Sequence, residues 1–190
     1  MTRPTLAIIV ASTRPNRIGL SIAQWFEQRA LDHGGFEVEL VDLGEVNLPL
    51  FDEPNHPRLG RYEHEHTKAW SAIVDRADAF VFVMPEYNHG FNAALKNALD
   101  FVYREWNTKA AGFVSYGGVA GGTRAVAMLK PVLGALQVVP VVQSVIVPFA
   151  GAKVADGSFD ADEPLEAAAA AMLDALVRMD ATLAPLRHPA

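Results

Sequence analysis

The fold of this chain is decided by residues 79–91, which read AFVFVMPEYNHGF. The first six residues are all apolar and include β-branched and aromatic side chains, which is typical of a short strand with both faces buried. Polar residues and a glycine then interrupt the run, and a helical pattern begins near Asn92. Because a strand that is apolar on both faces needs helices on both sides, this stretch indicates a parallel sheet inside an α/β fold.

The same alternation of strand and helix occurs five times along the chain. Apolar runs predict strands at Leu6–Ala11, Phe36–Val41, Ala79–Met84, Gly112–Tyr116 and Val138–Val147. Amphipathic spacing predicts helices at Gly19–His33, Glu63–Ala77, Asn92–Tyr103, Gly121–Leu136 and Glu163–Leu183. We therefore predict a doubly wound, five-stranded parallel sheet with helices on both faces, in a single domain over residues 1–190. Pro140 and Pro148 indicate that the fifth strand is long, bent or at an edge.

The composition excludes several classes of function. The chain has 190 residues, no cysteine and a formal net charge of −6, so it offers neither thiolate chemistry nor a general basic field for nucleic acid. No apolar stretch approaches the roughly 20 residues of a membrane-spanning helix, and the run Leu6–Ala11 is too short for a signal peptide. We therefore expect a cytoplasmic protein without nucleic-acid or membrane partners. The long connection at residues 44–60 is expected to be a lid, an interface arm or a disordered segment.

The loop after the first predicted strand, residues 12–19, combines the groups that bind phosphate. It leads directly from strand to helix and contains hydroxyl groups together with Arg14 and Arg17. Guanidinium groups and the free N–H groups of a helix start are typical phosphate ligands. The alternative is that Ser12 and Asn16 cap the helix while the arginines are solvated. The loop matches neither the Walker A motif nor the Gly-x-Gly-x-x-Gly motif of dinucleotide-binding domains.

Two further loops follow the third and fourth predicted strands. Residues 84–91 offer the ring of Tyr87, the amide of Asn88 and backbone N–H groups to a flat heteroaromatic ligand. Residues 115–124 contain four glycines that let the backbone approach a ligand closely. The alternatives are a simple turn in which Asn92 caps the next helix, and a glycine-rich turn that serves helix packing. The third loop fits neither a nucleophile elbow nor a P-loop.

Taken together, the three loops resemble those of the NAD(P)H-dependent FMN reductase family of flavodoxin-like proteins. The resemblance rests on Ser12-x-Arg14 with Arg17-x-Gly19, on Pro85-Glu86-Tyr87-Asn88, and on Ser115-Tyr116-Gly117-Gly118. Many relatives begin the first loop with Gly-Ser and have a later Ser-x-Asn, whereas this chain has Ala11-Ser12 and then Ile18-Gly19-Leu20-Ser21. By motif match, the resemblance places the FMN phosphate on Ser12, Arg14, Arg17, Ile18 and Gly19. It places the flavin ring against Pro85, Glu86, Tyr87, Asn88, Ser115, Gly117 and Gly118.

The resemblance also implies an activity. Bound FMN would take a hydride from NADPH or NADH and pass electrons to a small-molecule acceptor such as a quinone, an azo dye or free flavin. Since the cofactor carries the chemistry, no catalytic side chain and no metal are expected. Relatives are dimers or tetramers, which implies a homodimer or homotetramer and a use for apolar residues of segment 44–60 and of the region around Trp106. Neither the preferred nucleotide nor the physiological acceptor follows from these residues.

Three other functions remain open at this point. A flavodoxin-type electron carrier would hold FMN without oxidising NAD(P)H, and a sensor would bind FMN only for regulation. A metal site is a third alternative, built from His56, Glu63, His64, Glu65 and His66. Residues two apart do not share a helix face, so this histidine-rich cluster is better interpreted as a solvated helix start.

Overall fold

The computed structural model describes residues 3–187 and contains a central parallel sheet with the strand order β2-β1-β3-β5, followed by the short strands β6 and β7 beside β5. The strands are β1 Thr5–Val10, β2 Glu37–Asp42, β3 Ala79–Tyr87, β4 Gly90–Phe91, β5 Ala110–Tyr116, β6 Val139–Pro140 and β7 Val145–Val147. All neighbours are parallel except β4, which forms a hairpin with β3. The predicted doubly wound α/β fold with its parallel sheet is confirmed.

Helices cover both faces of the sheet. They are α1 Gly19–His33, α2 Leu43–Val46, α3 Glu65–Arg76, α4 Ala93–Asp100, α5 Thr123–Ala135 and α6 Glu163–Arg187. One core layer joins α1 and α6 to the sheet, and a second layer joins α3, α4 and α5 to the other face. A small hairpin of β8 Val154–Ala155 and β9 Ser158–Phe159 precedes α6. Within residues 3–187, no helix has the length and hydropathy of a transmembrane segment.

Two predicted elements end differently in the structure. The fifth strand divides into β6 and β7. Val139 and Val141 donate their N–H groups to the carbonyls of Lys109 and Ala111, so the missing N–H of Pro140 faces the open edge of the sheet, and pairing with β5 resumes only at Val145. The helix predicted over residues 92–103 ends at Asp100. There the Glu105 carboxylate accepts the Tyr103 N–H at 3.2 Å and a turn of 3-10 helix follows at Arg104–Trp106. The Glu105 carboxylate thus takes the place of the backbone carbonyl that would accept the Tyr103 N–H in a longer helix.

Trp106 lies in the core, which corrects the expectation of an exposed apolar region around it. Its ring is fully buried and packs against Trp70, Phe80 and Phe82 at centroid distances between 4.8 and 6.3 Å. Trp70 donates its indole N–H to the carbonyl of Ala98 at 2.8 Å, which joins α3 to α4. Trp106 therefore stabilises the layer beneath the sheet and offers no surface to a partner.

Segment 44–60 is held against the domain by side chains at both ends. Asn97 donates to the carbonyl of Pro49 and accepts from the N–H of Phe51, at 2.7 and 2.9 Å. Glu53 is buried and accepts the N–H groups of Glu63 and His64 just before α3. Burial opposes ionisation of Glu53, but these backbone N–H groups and the Thr67 side chain hold its pKa below the usual value. The carboxylate therefore fixes the chain just before α3, whose N-cap residue His64 makes no side-chain cap.

Lys109 is buried just before the start of β5, at the amino ends of the strands. Its ammonium group donates to the carbonyl groups of Val74 and Asp75 in the last turn of α3, at 2.8 and 2.9 Å. Burial is the main influence on this group and lowers the pKa of Lys109 to about 8, against the raising effect of Asp75 and Asp78. The lysine thus holds the end of α3 at the cost of desolvating a charge.

This arrangement predicts a measurable pH dependence of stability. Because the folded pKa of Lys109 lies below its ordinary value of 10.5, the unfolded chain holds the proton more tightly, and folding stability rises between about pH 8 and 10.5. Relative to Lys109→Met, the wild-type free energy of unfolding is expected to increase by about 2 kcal/mol from pH 7 to pH 9.5. Urea denaturation of both proteins at the two pH values measures this difference. A difference that does not change with pH would show that Lys109 titrates normally.

Candidate active site

Three loops meet at the carboxyl edge of the sheet because β1, β3 and β5 are direct neighbours. We call this cluster the three-loop site: the first loop is residues 12–19, the second is residues 84–92 and the third is residues 115–124. In the strand register, Val10 is opposite Val83 and Pro85 is opposite Tyr116, so the loops leave the sheet at nearly the same level. Strand order reverses at β1, where doubly wound folds bind their ligands.

The first loop ends at a helix start that no side chain caps. The N-cap of α1 is Ile18, in helical conformation, and no side chain accepts from the first turn. The alternative in which Ser12 and Asn16 cap this helix is therefore wrong. Gly19 is the first residue of α1, and the N–H groups of this turn have no acceptor within the helix itself. A helix start of this kind favours an anion.

The two arginines of the first loop differ in their contacts. Arg14 is exposed and makes no ion pair with any residue between 3 and 187. Arg17 crosses to β2, where its Nη2 pairs with the buried carboxylate of Asp42. The Arg17 Nε–H is also buried and has no hydrogen-bond partner among the described residues. Asp42 therefore fixes the Arg17 guanidinium beside the first loop and leaves one of its donors unused.

The second loop is a tight hairpin. Tyr87 is opposite Gly90 in the antiparallel pair of β3 and β4, so Asn88 and His89 form a two-residue turn. Both have positive φ angles, 49° and 67°, as a turn of type I′ requires. The hairpin leaves the Tyr87 ring 42% exposed at the edge of the site. The second loop is thus a closed hairpin and not an open connection.

An ion pair joins this hairpin to the third loop. The Glu86 carboxylate accepts from Arg124 Nε at 2.6 Å and from the Arg124 backbone N–H at 3.2 Å. Arg124 Nη1 also donates to His89 Nε2 at 2.8 Å, which requires an unprotonated His89 nitrogen. Burial would raise the pKa of Glu86, but the bonds to Arg124 keep it below the usual value. The Glu86 side chain is committed to this contact, so only its backbone is free to meet a ligand.

The four glycines of the third loop have two different roles. Gly121 and Gly122 have positive φ angles of 56° and 88°, and a Cβ at Gly122 would lie 2.7 Å from the Ser115 Cβ. These two are required by local packing. Ser115 is buried and donates to the Gly121 carbonyl at 2.8 Å, so its hydroxyl also closes the loop. A Cβ at Gly118 would meet no atom within 4 Å, which leaves that position open to a ligand.

Asn92 belongs to the site although its position at a helix start suggests a cap. It does not cap α4. Its amide donates to the carbonyl of Ala11 at 2.6 Å, which joins the second loop to the end of β1, while its buried Oδ1 has no partner among the described residues. An asparagine just before a helix is equally suited to capping that helix and to making this contact. Only the tertiary structure therefore distinguishes the two roles of Asn92.

A cavity of about 310 Å³ lies between the first and second loops. Its lining residues are Ser12, Thr13, Arg14, Tyr87, Asn92, Ala93 and Ala94. A larger cavity of about 420 Å³ lies beside it, between α2, α4 and residues 47–50, and also touches Thr13. No ionisable side chain lines the larger one. The smaller cavity combines an exposed aromatic ring with a cation and a buried amide oxygen that have no partner among the described residues, so it is the better candidate for chemistry.

The histidine-rich segment forms a different kind of cluster. The rings of His64 and His66 stack at 5.1 Å, and His66 Nε2 lies 2.9 Å from the Asp52 carboxylate. Within residues 3–187, no three His, Cys, Asp or Glu side chains are grouped as metal ligands. These contacts hold segment 44–60 against α3.

Comparisons with known proteins agree with this geometry. The profile of the family described as NADPH-dependent FMN reductase matches residues 4–152. An NAD(P)H-dependent FMN reductase of Schizosaccharomyces pombe is 45% identical over 136 residues, which are 70% of this chain and 68% of that protein. An NAD(P)H:quinone oxidoreductase of Solanum tuberosum is 35% identical over 96 residues, covering 47% of this chain and 46% of its own. The solved structure of FerB, an NAD(P)H:(acceptor) oxidoreductase from Paracoccus denitrificans, superposes with a TM-score of 0.74 at 25% identity and covers 95% of this chain and 98% of its own. The three-loop site lies entirely within the matched residues, and the chain belongs to the NADPH-dependent FMN reductase family.

Proposed function

We propose that this protein binds FMN in the three-loop site and uses it to transfer electrons from NADPH or NADH to a small-molecule acceptor. The observation that carries the proposal is the cavity between the first two loops, which is lined both by Ser12 and Arg14 and by the exposed ring of Tyr87. FMN has two corresponding parts, a phosphate and a flat ring system. Family membership supports the same function.

At the phosphate end, the proposal uses Ser12, Arg14, Arg17, Ile18 and Gly19. The uncapped first turn of α1 supplies backbone donors, and Arg14 has no competing ion pair among the described residues. Arg17 is held by Asp42 with its Nε–H unused. These groups bind a dianion by hydrogen bonds and charge, which is stronger than either alone.

At the ring end, the proposal uses Pro85, Glu86, Tyr87 and Asn88 on one side and Ser115, Gly117 and Gly118 on the other. The hairpin and the third loop are joined by Glu86 and Arg124, so both sides of the ring site keep a constant separation. Gly118 has room for a ring to approach its backbone. Ser115 contributes by closing the third loop through its bond to Gly121.

FMN, when bound, supplies both the acceptance of a hydride from NAD(P)H and its donation to the second substrate. The protein binds and orients the ring and keeps one face accessible. The side chains of Glu86, His89 and Arg124 are committed to one another, and we assign no catalytic acid or base. Backbone N–H groups near Asn88 and at Gly117 and Gly118 are the candidate donors toward negative charge on the ring.

The rim of the site supports an aromatic or quinone-like acceptor. Val119 and Phe149 are largely exposed beside Gly118, and the Phe149 N–H donates to the Gly118 carbonyl at 3.1 Å. A flat, uncharged ring loses little solvation on binding beside such exposed apolar side chains. A quinone oxidoreductase among the relatives supports this substrate class.

We further infer a homodimer or homotetramer that is formed through segment 44–60. Leu50 is 86% exposed, and Phe51 and Leu59 are also exposed, although hydrogen bonds hold the segment in place. A fixed and exposed apolar surface is typical of an interface. The proposal treats residues 1–190 as one FMN-binding domain, since α6 packs in the same core layer as α1 and the sheet. The cytoplasmic location stays a prediction.

The proposed activity is tested by visible absorption spectroscopy. Purified protein is mixed with FMN, desalted and then treated anaerobically with NADPH or NADH. Retained flavin that loses its visible absorption with either nucleotide is the expected result, and the two rates rank the donors. Retained flavin that keeps its colour would indicate a carrier or a sensor. If no flavin is retained, steady-state reduction of added FMN distinguishes weak binding from the absence of activity.

Gly118 provides a test of the ring site that leaves the fold intact. A Cβ at this position meets no protein atom within 4 Å, so Gly118→Val is expected to have the same free energy of unfolding as the wild type. The added side chain obstructs the proposed ring site and is expected to raise the Kd for FMN by about 10-fold or more. Flavin fluorescence titration measures the Kd. Gly134→Val, at an equally open position in α5, is the control and should bind FMN normally; equal affinities for all three proteins would remove Gly118 from the site.

The interface is tested with Leu50→Glu. A charge in the centre of a buried apolar contact is expected to shift the protein toward the monomer, because the carboxylate loses its hydration without gaining a partner. Light scattering after size-exclusion chromatography measures the mass. Leu31→Glu, on the exposed side of α1, is the control and should keep the wild-type mass. A monomeric wild-type protein at all concentrations would contradict the inference.

A further inference from the structure

Tyr116 carries a buried hydroxyl group at the start of the third loop. Its side chain is only 5% exposed, at the carboxyl end of β5, on the sheet face covered by α1. The hydroxyl makes no hydrogen bond of good geometry with residues 3–187, although the Ser12 hydroxyl of the first loop is near enough to affect it. An orphaned buried hydroxyl destabilises a protein, whereas a phenylalanine of nearly the same shape would not carry that cost. An acceptor from outside the chain would satisfy the hydroxyl.

The position of this hydroxyl is defined by Gly19, the first residue of α1. A Cβ on Gly19 would overlap the Tyr116 hydroxyl oxygen and would lie 3.0 Å from the ring carbon that bears it. The hydroxyl thus occupies the space of a missing side chain directly at the uncapped helix start. Since Gly19 has an ordinary φ angle, the closeness of the tyrosine, and not backbone conformation, accounts for a glycine at this position.

The electrostatic surroundings identify the kind of acceptor. Burial and the neighbouring Tyr87 raise the pKa of Tyr116 well above its usual value, while the Ser12 hydroxyl and the cations of Arg14 and Arg17 act in the opposite direction. The phenol therefore remains a neutral O–H donor. It shares its corner of the site with two guanidinium groups, one of which has its own unused buried Nε–H. Donors and cations without an acceptor call for an anion.

We propose that Tyr116 is a phosphate-binding residue that makes the site select FMN over riboflavin, by donating its hydroxyl hydrogen to a phosphate oxygen held at the start of α1. The inference rests on the proposed function, in which the first loop holds the FMN phosphate. Ser12 and the helix start then bind the phosphate from the loop side, and Tyr116 reaches it from the sheet side. The contribution of Tyr116 is specific to the phosphate, because riboflavin has no anionic group at this end and leaves the phenol unpartnered.

The test measures binding of both flavins to wild type and to Tyr116→Phe by fluorescence titration. Phenylalanine keeps the ring that packs beside Gly19 and removes only the donor. A hydrogen bond to a charged group typically changes affinity by about 10- to 100-fold. The Kd for FMN is expected to rise by about that factor, while the Kd for riboflavin stays within about 2-fold. The ratio of the two affinities is the readout, and it does not depend on enzymatic activity.

Two control variants separate the outcomes. Arg14→Ala is expected to weaken the binding of FMN more than the binding of riboflavin. This result would verify the phosphate end of the site independently of Tyr116. Tyr62→Phe removes a tyrosine hydroxyl that donates to Glu105 far from the three loops and is expected to leave both affinities unchanged. If Arg14→Ala lowers the preference for FMN and Tyr116→Phe does not, the assignment of Tyr116 is wrong and the proposed function stands. If the wild type shows no preference for FMN over riboflavin, the phosphate site itself is contradicted.

If Tyr116→Phe lowers the affinity for both flavins equally, the hydroxyl contacts the ribityl chain or the ring, or stabilises the folded protein. That result would also overturn the proposal. A crystal structure of the wild-type protein with FMN gives a decision even if the variant does not fold. The expected result is a Tyr116 Oη within about 3 Å of a phosphate oxygen. A Tyr116 hydroxyl bonded only to water or to the ribityl chain in that complex would contradict it.

Discussion

The site depends on the parallel pairing of β1, β3 and β5, which places the carboxyl ends of three strands beside one another. Each strand is nearly continuous in apolar side chains, so each is stable only between two helical layers. Burial on both faces leaves the strand ends as the place where polar groups from distant parts of the chain meet. The same constraint that stabilises the sheet therefore positions the three loops of the site beside one another.

The loops are held to one another by a small number of polar contacts. Asn92 joins the second loop to the end of β1, Glu86 and Arg124 join the hairpin to the third loop, and Asp42 holds Arg17 beside the first loop. Each contact satisfies a group that would otherwise be buried without a partner. Three of the eight buried side-chain polar atoms that lack a partner among the described residues, on Tyr116, Arg17 and Asn92, lie at this edge of the sheet. A polar ligand bound there would supply partners for these three groups.

Local pattern was enough to predict the strands, the main helices and the three loops, because burial imposes a period that is visible in a single sequence. It was insufficient wherever a side chain replaced a backbone partner. The helix over residues 92–103 ends early because Glu105 accepts the Tyr103 N–H. Trp106 was expected near an interface, yet it fills the core beside Trp70. An aromatic residue in a polar stretch carries no local signal that separates these two positions.

By itself, the sequence determined the α/β architecture, the order of the three loops and the residue types that suit a phosphate and a flat ring. These properties follow from apolar periodicity and from the chemistry of single side chains. Only the tertiary structure decided which of those side chains are free. Ser12 and Asn16 do not cap α1, the Glu86 carboxylate is bound to Arg124, and the Tyr116 hydroxyl faces Gly19 across 97 positions of sequence. Such pairings depend on which strands are neighbours in the sheet, and that order is set by packing over the whole domain, which no local segment encodes.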